Sequence, residues 1–236
     1  TPSLLIEAAR INLVLQSGDL SATWTDAGTP TLGTAHTASG VSLDLLTDND
    51  AGTAEGKLQT ITFTGDGVKA ISVHWKAGVS PTPVSDELVL QDVTGAATLL
   101  LARVSDAGAG VPSVAMLTGT YLGYRYLTDG VYRLFFQSTS VTAVNTNSLR
   151  AYAGRTDTVT DTGDVYWGGF QAEDATHSSS YVATTTGTVT RNIETWYSDL
   201  TSKPQAMTAY FDFEEWGTAL TANLGLFQIG SATAST

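Results

Sequence analysis

The 236-residue chain has no cysteine, which excludes disulfides, zinc-thiolate sites, thiol nucleophiles and dithiol redox chemistry together. It is also poor in positive charge: 11 Lys and Arg stand against 23 Asp and Glu, a formal net charge of -12. Such a surface repels phosphate backbones and anionic membranes, so nucleic acid is not an expected partner. Long apolar runs are missing as well. The longest lies around Leu99-Leu100-Leu101, far short of the ~20 residues a membrane helix requires, and no membrane insertion is expected. Helical spacing is nearly absent. Thr1 opens the chain with neither a charged n-region nor an apolar h-region behind it, which reads as a processed or excised piece.

What is present favours strands. Hydrophobic residues make up 42% and charged residues only 14%, and threonine fills about one position in six, a bias toward β-branched side chains. Apolar and polar positions alternate in short bursts: Ile61 and Phe63 among threonines, Ile71, Val73 and Trp75 among Ser72, His74 and Lys76, and Tyr132, Leu134 and Phe136 among Arg133, Phe135 and Gln137. Further strands are expected at 43–46, 88–91, 98–104, 114–117, 121–127, 149–153 and 165–172. Turn chemistry separates them at Gly65-Asp66-Gly67, Asp106-Ala107-Gly108, Asp129-Gly130 and Thr162-Gly163-Asp164. This rhythm predicts an all-β chain folded as a jelly-roll β-sandwich. The polar run from Thr184 to Thr188 reads as a linker leaving it, and two later strands, 207–213 and 224–229, are too few to bury a core alone.

Four ordered blocks carry a resemblance. They are Glu7 to Ser17 with Asp19-Leu20 and Trp24-Thr25; Ser72-Val73-His74-Trp75-Lys76-Ala77-Gly78; Asp129-Gly130-Val131-Tyr132-Arg133-Leu134; and Val165 to Glu173 followed by Ser180-Tyr181-Val182 and Thr188-Val189-Thr190-Arg191. Together they resemble the carbohydrate-binding-module-like jelly roll of bacteriophage tail and virion proteins. Residues 192–236 resemble the first strands of a concanavalin-like (laminin-G-like) unit, through Met207 to Phe211 and Leu226 to Gly230. The resemblance implies a jelly roll over 1–191, with a linker and the start of a second β unit over 192–236. It further implies a non-enzymatic virion component, in a tail fibre, head fibre or receptor-binding part. Such a part would sit at the extracellular virion surface, contact host-surface glycans weakly and multivalently, and neighbour other virion proteins. A homo-oligomer, such as the trimer usual in phage fibres, is implied as well. The chain departs from the family at Gly168, Val131 and Ala183, where relatives carry Trp, Trp and Pro, so a sugar groove lined by those aromatics would be altered.

Sugar recognition combines aromatic faces with guanidinium, amide and imidazole groups for hydroxyls. His74, Arg133, Arg150, Tyr152, Trp167 and Gln171 are candidates to share one concave glycan-binding surface. The competing expectation is that Trp167 and Tyr152 pack in the core or at its rim, with Arg133 and Arg150 as ordinary cross-strand partners. Trp75 belongs to the core by its alternation, and Trp24 reads as a plug over one end of the sandwich. No cofactor is called for. Asp48, Asp50 and Gly52 leave room for a structural calcium, although Gln59 stands where a bidentate Glu would be needed, and solvated turn acids explain the loop equally.

The best case for catalysis is Asp212, Glu214 and Glu215, whose alternation is how concanavalin-like glycanases place nucleophile and acid. The acid those enzymes carry two places earlier is Tyr210 here, so a charged strand edge is the plainer reading. His36, His74 and His177 show no metal-ligand spacing, and no serine sits in a nucleophile elbow. A purely structural spacer and a polysaccharide-degrading fragment are the two rivals to glycan display.

Overall fold

Alternation along the chain becomes strands wherever one face can be buried. The computed structural model of the chain describes residues 9–79, 85–155 and 162–192, all within the compact unit Ile6–Thr195. The expectations placed on 207–213, 224–229 and the acids Asp212, Glu214 and Glu215 lie outside the described residues.

Fifteen strands are described, and none of the described residues is helical. They are β1 (Arg10–Asn12), β2 (Thr25–Ala27), β3 (Thr31–Leu32), β4 (His36–Ala38), β5 (Val41–Asp48), β6 (Gly56–Thr62), β7 (Ala70–Ala77) and β8 (Asp86–Asp92). The rest are β9 (Ala97–Asp106), β10 (Pro112–Thr118), β11 (Thr120–Thr128), β12 (Val131–Gln137), β13 (Thr146–Tyr152), β14 (Gly163–Glu173) and β15 (Val189–Arg191). One sheet has the order β10-β9-β8-β13-β6-β2, and the other runs β11-β12-β7-β14-β5-β3 with β4 added beside β5. A two-stranded ladder joins β1 to β15. All described pairings are antiparallel, and the described residues form an all-β jelly-roll sandwich.

The core fills the space between the two large sheets. Ile71, Val73 and Trp75 of β7 and Leu134 and Phe136 of β12 face Leu88, Leu90, Leu100, Ala102, Val104 and Leu149 of the opposite sheet. Trp24 joins this cluster, its ring 4.7 Å from Phe170 and its indole N–H donating to the Gln16 carbonyl at 3.3 Å. The hairpin between β11 and β12 turns on Asp129 and Gly130 alone. Both have positive φ, 51° and 73°, as a two-residue turn matching the twist of its strands requires.

Two local expectations change. Gly163 and Asp164 already lie in β14, opposite Asp48 and Thr47, so the 162–164 turn gives way to a longer strand. The 184–188 segment is not a linker. Thr184 is buried, donates its hydroxyl to the Val14 carbonyl and receives a bond from the Ser17 amide, and β15 then pairs with β1. Small polar residues read as linker chemistry, but here the Thr184 hydroxyl and the Thr185 carbonyl are spent on the backbone of the N-terminal segment.

Candidate functional site

The four sequence blocks converge. β12, β7 and β14 are neighbours in the seven-stranded sheet, and β1 and β15 form their own ladder nearby. Over the outer face of that sheet runs a strap, residues 174–184, tied down by buried polar groups. Arg133 donates to the Ser72 hydroxyl at 2.8 Å and to the Ser179 carbonyl at 2.8 Å. Glu173 accepts the Ser179 amide at 2.8 Å, while Gln171 accepts the Val182 amide at 2.7 Å and donates to the Ser180 carbonyl at 3.2 Å. Asn12 closes the other side by donating to the Phe170 and Val182 carbonyls.

His74 lies beneath this strap with its ring centroid 5.0 Å from that of Tyr181. Burial, with the Arg133 charge adding to it, pushes the imidazole down to about 3, so it is neutral at ordinary pH. Arg133 is drawn down to about 10 by burial, against the opposing pull of Glu173, and stays a cation. Gly168 and Gly169 make this closeness possible. A Cβ at Gly168 would strike the Ser42 carbonyl and one at Gly169 the His74 ring, and Gly169 also has φ +55°. That is a steric reason for the small residue at 168.

The six predicted site residues therefore do not share one surface. His74, Arg133 and Gln171 are on the outer face of the seven-stranded sheet but buried under the strap. Trp167 points the other way, into the core, with no exposed surface, and its indole donates to the Tyr152 carbonyl at 3.3 Å. Arg150 and Tyr152 belong to β13 and lie together on the outer face of the six-stranded sheet. The shared concave surface fails because strand parity says only that neighbours alternate. Which face is open depends on the sheet each strand joins.

The outer face of the six-stranded sheet is partly open: Thr60 is exposed, Leu58, Gln91, Leu101, Arg103 and Arg150 are half-buried, and Tyr152, Glu87, Val89 and Ser148 are buried. Cross-strand register places Tyr152, Glu87 and Arg103 in one row, Leu58, Arg150, Val89 and Leu101 in the next, and Thr60, Ser148 and Gln91 in a third. Glu87 accepts from Arg103 at 3.1 Å and from Arg155 at 3.0 Å, and the Arg155 guanidinium stacks 4.4 Å above the Tyr152 ring. That stacking buries Tyr152. Arg150 is partly exposed, and its Nε donates to the Ser148 hydroxyl at 3.1 Å. The site thus holds two guanidinium groups on one buried carboxylate, with a third guanidinium, Arg150, in the next row beside hydroxyls and an amide. Such a set donates hydrogen bonds in fixed directions to sugar hydroxyls or carboxylates. Glu87, Arg103 and Arg155 escaped the sequence reading. The alternation of Arg103 with Ala102 and Val104 marks it as outward-facing, but its meeting with Glu87 follows only from β9 lying beside β8.

The Asp48 loop does not suit calcium. Asp48 accepts the Asp50 and Glu55 amides, Asp50 accepts the Gly52 amide, and Glu55 accepts from Asn49 and Thr29, so the carboxylates serve backbone donors. Burial nevertheless raises Asp48 above the usual carboxylate range. His36 lies 3.0 Å from Asp129 and His177 beside Thr176, apart from each other and from His74. Among the described residues no group of three or more His, Cys, Asp or Glu is placed to hold a metal.

No family model and no curated protein matches the chain. Among solved structures it is similar to the enzymatically active domain of tailspike protein 4 from bacteriophage CBA120, at 10% identity and a TM-score of 0.42. That match covers 68% of this chain and 21% of the tailspike chain, so this chain spans about a fifth of its length. It is also similar to the CBM22-1 xylan-binding domain of Paenibacillus barcinonensis Xyn10C, at 14% identity and a TM-score of 0.41, covering 73% of this chain and 96% of that one.

Proposed function

We propose that the chain is a non-enzymatic component of a bacteriophage virion, in a tail fibre, head fibre or receptor-binding part, and that it contacts host-surface glycans weakly at the outer face of its six-stranded sheet. The phage attribution is supported by the four ordered sequence blocks. The glycan contact is supported by one observation above others: Arg150, half-buried and without a carboxylate partner among the described residues, stands in the middle row of a face that also carries exposed Thr60 and half-buried Gln91 and Arg103. A single such contact is weak, and repetition on a particle supplies avidity without any stronger site.

The test is an array of neutral and acidic host-surface glycans probed with the full chain displayed in many copies on beads. Retention by the wild-type chain and its loss in Arg150→Ala is expected. Absence of retention removes the sugar part of the reading.

A second reading is a spacer or assembly module, in which the sandwich holds neighbours apart. The burial of Trp167 and Tyr152 favours it, because the two aromatic faces best suited to stacking on a pyranose are enclosed by protein.

A further inference from the structure

The two flanks of the sandwich are unequal. On one, the sheets end in the short strands β2 and β3, of three and two residues, and on the other they end in β10 and β11, of seven and nine. Edge strands of that length normally carry Lys, Pro or acidic residues that deter pairing. β10 begins with Pro112. β11, Thr120-Tyr121-Leu122-Gly123-Tyr124-Arg125-Tyr126-Leu127-Thr128, has no Lys, Pro, Asp or Glu, and between its two register shifts, at Tyr121/Gly123 and Tyr126/Thr128, Gly123 to Tyr126 form a regular stretch. From Ala107 to Thr128 the only charged residue is Arg125, in a chain whose net charge is -12. Four large apolar side chains are exposed on this flank: Leu117, Leu122, Tyr124 and Tyr126, the last with 56% of its surface open. Tyr124 and Tyr126 are held in place, each edge-on to Tyr132 at 5.3 and 5.2 Å.

We propose that β11 pairs antiparallel with β11 of a second copy of this chain, around a two-fold axis, so that the two seven-stranded sheets become continuous. The charge pattern selects that occupant. A second copy brings the same net negative charge, and the 107–128 flank, free of acidic residues, is a long exposed edge where that charge does not oppose its approach. A cationic partner would be drawn to the acidic surfaces instead. A saccharide stacked on two tyrosines would leave the row of unpaired backbone groups uncovered, whereas an antiparallel strand satisfies that row and the exposed rings at once. The pairing is independent of the glycan reading, although it would place two Arg150 faces on one particle.

Because the chain lacks cysteine, single-cysteine variants of the full chain report the contact directly. Leu122→Cys, Tyr124→Cys and Tyr126→Cys are oxidised mildly beside Thr60→Cys as a control on another face. The position nearest the two-fold axis should form a disulfide-linked dimer while the control does not. Light scattering should give the dimer mass for the wild type and half of it for Leu122→Lys/Tyr126→Lys with an unchanged far-ultraviolet spectrum. Should that variant misfold, amide exchange of the wild type decides instead, with the outward amides of β11 exchanging more slowly at higher protein concentration. A monomeric wild type, an assembly in which none of the three cysteines cross-links, or β11 exchange independent of concentration overturns the proposal.

Discussion

Asp86 shows what a single enclosed group does to the pH response of this sandwich. Its carboxyl is buried between the sheets, accepts from the Trp75 indole at 3.0 Å and from the Gly154 amide at 3.4 Å, and is pushed up to about 8 because burial outweighs both bonds. A carboxyl with a raised folded pKa holds its proton more tightly in the native state than when unfolded. Its stabilising effect is therefore complete below the ordinary value of 3.8 and is lost as pH climbs toward about 8. Denaturant midpoints measured across that window should fall with rising pH in the wild type and stay flatter in Asp86→Asn. Asp174 works in the opposite sense. Burial tends to raise it, but the buried Lys69 ammonium, the Thr64 hydroxyl and the Thr64 and Gly65 amides together hold it at about 2. Its contribution is present above the usual carboxylate range and disappears in strong acid. Lys69→Met should cost about 1–3 kcal/mol near neutrality, the range for a charge-assisted bond that loses its donor, as measured by chemical denaturation.

At the scale of elements, the two outer faces differ: the strap over one is held by buried bonds, and the other carries the proposed glycan contact. Gln171 and Arg133 fix the strap by buried bonds to Val182, Ser180 and Ser179. Gln171→Leu leaves the Val182 amide and Ser180 carbonyl without that partner and should destabilise by roughly 2–4 kcal/mol while leaving glycan retention unchanged. Trp167→Ala opens a cavity between the sheets and should cost about 3–5 kcal/mol, again with no direct effect on retention. Arg150→Ala should do the reverse, keeping the unfolding midpoint and losing retention. The strands themselves were legible in the sequence because burying one face demands alternation. Ile71, Val73 and Trp75 and the Asp129-Gly130 turn fall where the pattern puts them. The strap was not legible. Some of its bonds reach across the chain, as between Asn12 and Val182 or Val14 and Thr184, and nothing local in Thr184 to Thr188 distinguishes a docked segment from a linker. The placement of Trp167 and Arg150 on opposite sides of different sheets was hidden for a related reason, since it depends on strand order rather than on parity.

For the whole molecule, charge and shape act together. The net charge of -12 opposes close approach of two copies, so if β11 pairs with β11 of a second copy, raising the ionic strength should tighten that association rather than weaken it, which sedimentation at two salt concentrations can check. On the proposed reading, glycan meets the sandwich at the face around Arg150, while the polar cluster beneath the strap serves only to hold the strap down. The most direct measurement is a residue-resolved chemical-shift map of the full chain titrated with a glycan that the array retains. Shifts confined to Leu58, Thr60, Gln91, Arg103, Ser148 and Arg150 are the predicted result. Shifts centred on Ser72, His74, Arg133 and Gln171, with release of the strap, would contradict it.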